Sequence, residues 1–148
     1  MMLKSTTLTS LVTLSLLVIF LTFSHATPVP CSPVGVAKFD ILGGQIKFTQ
    51  VDATNVQIEG QLTRGITDTN AELYHALIGN SIDLTFAQLC VVITPPGTNP
   101  FKSVIPGNVT SLIDQTLTIT KRDIIDVTLD SALIESEQLG KAKRRIIA

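Results

Sequence analysis

Few side chains in this chain could perform covalent or metal chemistry. Its 148 residues include two histidines and two cysteines. His25 lies at the end of an apolar N-terminal run, which leaves His75 as the one imidazole of the remaining chain. A hydrolytic Ser-His-Asp site needs a base oriented by a carboxylate. Asp68 and Asp83 flank His75 in sequence, and either could reach it only through the tertiary fold. Between Leu73 and Leu77, His75 reads as a packed or rim histidine rather than a ligand. No Gly-rich phosphate loop precedes a helix, and no clustered Cys and His offer zinc ligands. Basic residues are not interleaved with aromatics, which argues against nucleic acid. The expectation is a protein that is not an enzyme and needs no metal or cofactor.

The N-terminal segment carries an expectation about compartment. Lys4 precedes a run from Leu8 to Phe23 rich in Leu, Val, Ile and Phe, and Ser24-His25-Ala26 puts small residues where a signal peptidase reads them. Residues 1–26 are therefore expected to be a cleaved signal peptide rather than a retained anchor, since no basic stop-transfer flank follows. The mature protein would be extracellular or in a secretory lumen. Its two cysteines, Cys31 and Cys90, then most simply form one disulfide. Asn108-Val109-Thr110 is an N-glycosylation sequon on a Pro-Gly turn, with Asn108 as acceptor.

About 122 residues remain after cleavage, enough for one core. Strict alternation of Val56, Ile58 and Leu62 with Gln57, Glu59 and Gln61 marks a half-buried strand. Arg64-Gly65 and Gly79-Asn80-Ser81 break the run, and alternation resumes through Ile82, Leu84 and Phe86. Earlier strands centre on Val36 to Ile41 and on Ile46 and Phe48. Later ones centre on Leu117 and Ile119, with threonines on the outer face, and on Ile125, Val127 and Leu129. Seven or eight strands without long helical periodicity predict an all-β, immunoglobulin-like antiparallel sandwich of two sheets, spanning residues 27–134. Residues 27–140 hold six basic and twelve acidic side chains, whereas the last eight hold four basic ones and no acid. Residues 135–148 thus read as a basic tail. It could make transient contact with an anionic membrane surface or could simply be solvated.

Thirteen apolar residues are expected to face inward: Val56, Ile58, Leu62, Ile66, Leu73, Leu77, Ile82, Leu84, Phe86, Leu117, Ile119, Val127 and Leu129. They either fill each other's space or line a cavity, and composition alone favours the filled core. The spacing Gly60-Gln61-Leu62-Thr63-Arg64-Gly65-Ile66, then Ala71-Glu72-Leu73, then Leu89-Cys90, resembles the ML lipid-recognition family. That family includes phosphatidylglycerol/phosphatidylinositol transfer proteins and secreted sterol-transfer proteins. The resemblance covers residues 31–120, with Cys31 near the mature N-terminus and Pro96 to Phe101 approaching the next strand. It implies a phospholipid or sterol held between two sheets by Val56, Ile58, Leu62, Leu73, Leu77, Ile82, Leu84, Phe86, Leu117 and Ile119. The chain departs from the family in having no cysteine after Cys90, so the family's disulfide pairing cannot be carried over.

A second resemblance is to secreted copper-type superoxide dismutases, which are also β-sandwiches and carry a His-x-His pair on a central strand. Tyr74-His75-Ala76-Leu77 has the first histidine of such a pair and Leu77 in place of the second. Thr98-Asn99-Pro100-Phe101 is similar to a later segment of that family but lacks its histidine. This resemblance implies a non-catalytic relative, since one imidazole cannot build a copper site made mainly of imidazoles. Lipid carriage is the leading expectation. A secreted interaction module with a filled core, or a non-catalytic relative of the dismutases, is the alternative.

Overall fold

The computed structural model describes residues 32–138. The expected signal peptide, Cys31 and the basic cluster of the tail lie outside the described residues. The fold is an all-β sandwich of two antiparallel sheets. The first sheet has the order β11 (Glu135–Ser136), β1 (Val34–Lys38), β2 (Gly44–Gln50), β3 (Asn55–Leu62), β8 (Phe101–Pro106). The second runs β10 (Asp126–Leu133), β9 (Thr116–Arg122), β4 (Tyr74–Ile78), β5 (Ile82–Thr85). A small ribbon pairs β6 (Ile93–Thr94) with β7 (Gly97–Thr98), and a short helix, α1, spans Val109–Leu112. Glu135–Ser136, read from the sequence as the start of the tail, thus complete an edge of the first sheet. Among the described residues no helix is long and apolar enough to cross a membrane.

Alternation builds the core. Ile46 and Phe48 of β2, Val56, Ile58 and Leu62 of β3, and Leu117 and Ile119 of β9 are all buried, while their neighbours in each strand face outward. β4 contributes Tyr74, Ala76 and Ile78 to the same cluster. The Tyr74 ring stacks on Phe86 at 5.4 Å between centroids, and its hydroxyl accepts the backbone N–H groups of Thr67 and Asp68 at 3.2 and 3.0 Å. A fully buried tyrosine is tolerated because its polar end is satisfied.

Two sequence expectations are corrected here. Leu77 was expected inward, but β4 runs in the opposite phase and leaves it half-buried on the outer face. The last strand was centred on Ile125, Val127 and Leu129, yet Ile125 is 74% and Val127 49% exposed. A register irregularity between Thr128 and Asp130 shifts the phase of β10, so that Asp130 and Ala132 are its buried residues. Of the expected Cys31–Cys90 pair, Cys31 lies outside the described residues; Cys90 is exposed and sits in a left-handed turn with φ 55°.

Asp130 is buried between the two sheets. Its Oδ2 accepts the N–H groups of Ile41 and Leu42 at 2.8 and 3.0 Å, and Oδ1 that of Ser131 at 2.8 Å. From the other side Arg64 donates to the carbonyls of Ile41 and Asp40, both at 2.6 Å. The loop joining β1 to β2 is thereby held at its donors by an acid and at its acceptors by a base, and Leu42 is pressed into the core at 1% exposure. Truncating a buried acceptor of this kind strands its donors. Asp130→Ala is expected to lower unfolding free energy by about 2–3 kcal/mol, measured by urea denaturation, whereas substitution of exposed Asp123 should change little.

Candidate functional site

The outer face of the second sheet gathers the polar chemistry of the domain. The turn Gly79-Asn80-Ser81 between β4 and β5 needs a left-handed residue, which Gly79 supplies at φ 55°. It sets the register Leu77 opposite Asp83 and His75 opposite Thr85. On the other side of β4, His75 faces Thr120 and Leu77 faces Thr118, and Thr120 in turn faces Thr128 of β10. Residues two apart on neighbouring strands lie within reach of long side chains. Asp83 therefore meets His75, Oδ1 to Nδ1, at 2.7 Å. Arg122 donates to Asp83 Oδ2 at 2.7 Å, lies 3.3 Å from His75 Nδ1, and has its Nε 3.8 Å from an oxygen of Asp126.

Arginine can only donate, and an ionised carboxylate can only accept. The shortest consistent pattern puts a proton on His75 Nδ1 facing Asp83, with Arg122 serving the second carboxylate oxygen. Partial burial, the largest single influence on Asp83, opposes its ionisation. The hydrogen bonds from His75 and Arg122 and the fields of both bases outweigh it and hold the carboxyl below its ordinary 3.8.

A histidine oriented by an aspartate is half of a hydrolytic triad. The nucleophile half is missing. Thr120, the hydroxyl residue directly across from His75, has an Oγ1 without a hydrogen-bond partner among the described residues, so His75 does not activate it. The donor set does not suit copper either. His75 is a lone imidazole with one nitrogen committed to Asp83, and its cross-strand neighbours Thr85 and Thr120 are poor ligands. Among the described residues no group of three His, Cys, Asp or Glu is placed to hold a metal ion.

Beside this cluster lies an open groove of about 450 Å³, bounded by Leu77, Asn80, Asp83, Thr118, Thr120 and Thr128. A larger groove of about 610 Å³ crosses the outer face of the first sheet, over Lys47, Glu59, Gln61 and Lys102. The larger one contains no stranded buried group, since Glu59 accepts from Gln57 at 3.0 Å and Gln61 donates to the carbonyl of Thr98 at 3.2 Å. The smaller one includes Thr120, which is 7% exposed and unpartnered.

The residues expected to hold lipid are brought together only in part. Val56, Ile58, Leu62, Phe86, Leu117 and Ile119 are buried in one cluster, with Leu73, Ile82 and Leu84 packed partly buried against it. Leu77 faces the other way. Asn108, the expected glycan acceptor, is exposed and caps α1 by accepting the N–H of Thr110 at 2.8 Å. Arg122 and Thr120 were not singled out from sequence, and Asp83 was named only as one of two carboxylates that could reach His75 through the tertiary fold. The alternation of Ile82 and Leu84 already turns Asp83 outward, but the assumed inward phase of Leu77 hid its meeting with His75. No protein-family model, curated protein or solved structure matches this chain.

A carboxyl whose pKa is lowered in the folded state adds stability at pH above its unfolded pKa, and that stability is lost as pH falls through the folded pKa. Asp83→Asn is therefore expected to shrink the drop in urea midpoint between about pH 6 and about pH 3. An unchanged drop would show that the His75–Asp83–Arg122 cluster carries no such coupling.

Proposed function

We propose that this domain is a non-catalytic binding module with a filled core, acting through the outer faces of its sheets rather than through a lipid cavity between them. The observation that carries this reading is the burial of the inner faces. Val56, Leu62, Ile66, Tyr74 and Ile119 are at 0% exposure in a cluster joining both sheets, and the rings of Tyr74 and Phe86 stack within it at 5.4 Å between centroids. The two grooves described above both open on outer faces. A second reading concerns ancestry. His75 and Leu77 stand two residues apart on the outer face of an interior strand, the spacing of the His-x-His pair that copper-type superoxide dismutases carry on a central strand. That supports a relative of those sandwiches that has given up the copper site.

A filled core and a lipid cavity respond differently to truncation. Removing side-chain volume from a packed interior costs transfer energy plus a cavity term, about 2–5 kcal/mol for Ile→Ala, whereas a cavity wall loses far less. Ile119→Ala is expected to fall in the upper range by chemical denaturation. The parallel measurement is native mass spectrometry and metal analysis of the protein from its own source. One lipid per chain would restore the carrier reading, and copper retained through dialysis would restore the enzyme reading. The expected result is neither.

A further inference from the structure

We propose that the outer face of the first sheet is a self-complementary docking surface for a second copy of this chain, set about a twofold axis running along the strands between β2 and β3. The inference rests on the outer-face reading above and names the partner of one of those faces. Strand register orders that face in rows. Val34, Thr49, Gln57 and Val104 form one row, Val36, Lys47, Glu59 and Lys102 the next, and Gln45 stands beside Gln61 in a third. Their neighbours along each strand turn to the core, so these side chains point outward together.

The middle row decides the arrangement. Lys47 and Lys102 flank Glu59, yet among the described residues neither lysine has an ion pair. Glu59 takes a hydrogen bond from Gln57 at 3.0 Å on one oxygen and keeps the other for a further donor. In an isologous interface one patch meets itself, so that each residue faces a different residue of the same patch. The axis between β2 and β3 reverses every row, because it exchanges β2 with β3 and β1 with β8. Lys47 then meets Glu59 of the second copy, and Glu59 meets Lys47. Gln45 likewise faces Gln61, and Thr49 faces Gln57. At the rim Val34 covers Val104, which is 56% exposed in the single chain. Lys102 lays its aliphatic stem over Val36, with Glu135 one strand further out. A twofold axis along the middle row would instead set Lys47 against Lys47 and Glu59 against Glu59, so charge selects the first arrangement. The groove over Lys47, Glu59, Gln61 and Lys102 gives the long side chains room to cross. Sheets packed face to face keep their strands within about 30° of each other, and the two central ion pairs lie nearest the axis, where that angle displaces them least. The four strands offer a footprint of about 19 by 20 Å. That is a small interface, for which micromolar association is expected.

The test is sedimentation equilibrium of the full chain from micromolar to millimolar concentration, where a reversible dimer is expected. Lys47→Glu and Glu59→Lys should each weaken it about tenfold or more, since either change sets like charges together at both central contacts. An equimolar mixture of the two variants should regain the wild-type affinity as a heterodimer, because only between them do opposite charges meet again. Circular dichroism checks that each variant is folded. Val104→Asp, at the exposed rim, gives a further variant that should also weaken the dimer should a charge reversal disturb the fold. A chain that stays monomeric throughout, a dimer indifferent to all three variants, or a mixture no tighter than its components would overturn the proposal. Those results leave the core filled and the outer-face reading standing, whereas one co-purifying lipid per chain would remove that reading itself.

Discussion

The phenol of Tyr74 lies wholly inside the sandwich, its ring against Phe86 and its oxygen accepting two backbone N–H groups from the Thr67–Asp68 turn. Rotating β4 by one residue would expose that ring and strand those donors, a double penalty in apolar transfer and in unmet hydrogen bonding. Side chains on a strand alternate, so one inward anchor determines the orientation of every neighbour. With Tyr74 inside, His75 and Leu77 must face out, and the turn at Gly79 then delivers Asp83 to the same surface. The polar cluster and the hydroxyl groove are consequences of where one aromatic ring is buried.

The seam between the sheets depends on charge instead of shape. Asp130 sits at the phase shift of β10 and takes the N–H groups of the β1–β2 loop, while Arg64 takes that loop's carbonyls. Neither residue forms a direct ion pair with the other; Asp130 satisfies donors beside the core, and Arg64 ties down the exposed carbonyls of Asp40 and Ile41. Loops of this sort usually run at the surface because their backbone needs water. Here two side chains stand in for it, which lets Leu42 close that end of the core.

Much of the architecture was legible in the sequence. The alternation of Val56, Ile58 and Leu62, the glycine-marked turns and the threonine-flanked pair Leu117 and Ile119 all fall where strands lie. The phase of β4 was not. Leu73, His75 and Leu77 read as one apolar face, because leucine is the stronger inward signal than alanine at position 76. Only the tertiary contacts of Tyr74 invert that reading. The bulge in β10 was equally invisible, since Ile125, Val127 and Leu129 make a regular pattern whose first two members are nonetheless exposed. A bulge adds one residue to a strand without any marker in composition, and here the residue it turns inward is an aspartate. The site followed the same logic: its members were each visible, but their meeting depended on two phases that local pattern could not supply.

The pairing of β3 with β8 has a kinetic consequence. Ile58 stands opposite Ser103, and Gly35 opposite Ser136, so both flanks of the first sheet are completed by strands made long after their partners. A chain synthesised from its N-terminus presents the β1–β2–β3 meander with two unpaired edges until β8 and β11 emerge. Non-local closure of this kind slows folding, and open edges invite pairing between chains. The outer row of that meander carries Lys47 and Glu59 side by side, with Lys102 arriving opposite Glu59 on β8. Charges on an unfinished edge discourage misassociation, and Glu59 stands on that edge until β8 pairs with it.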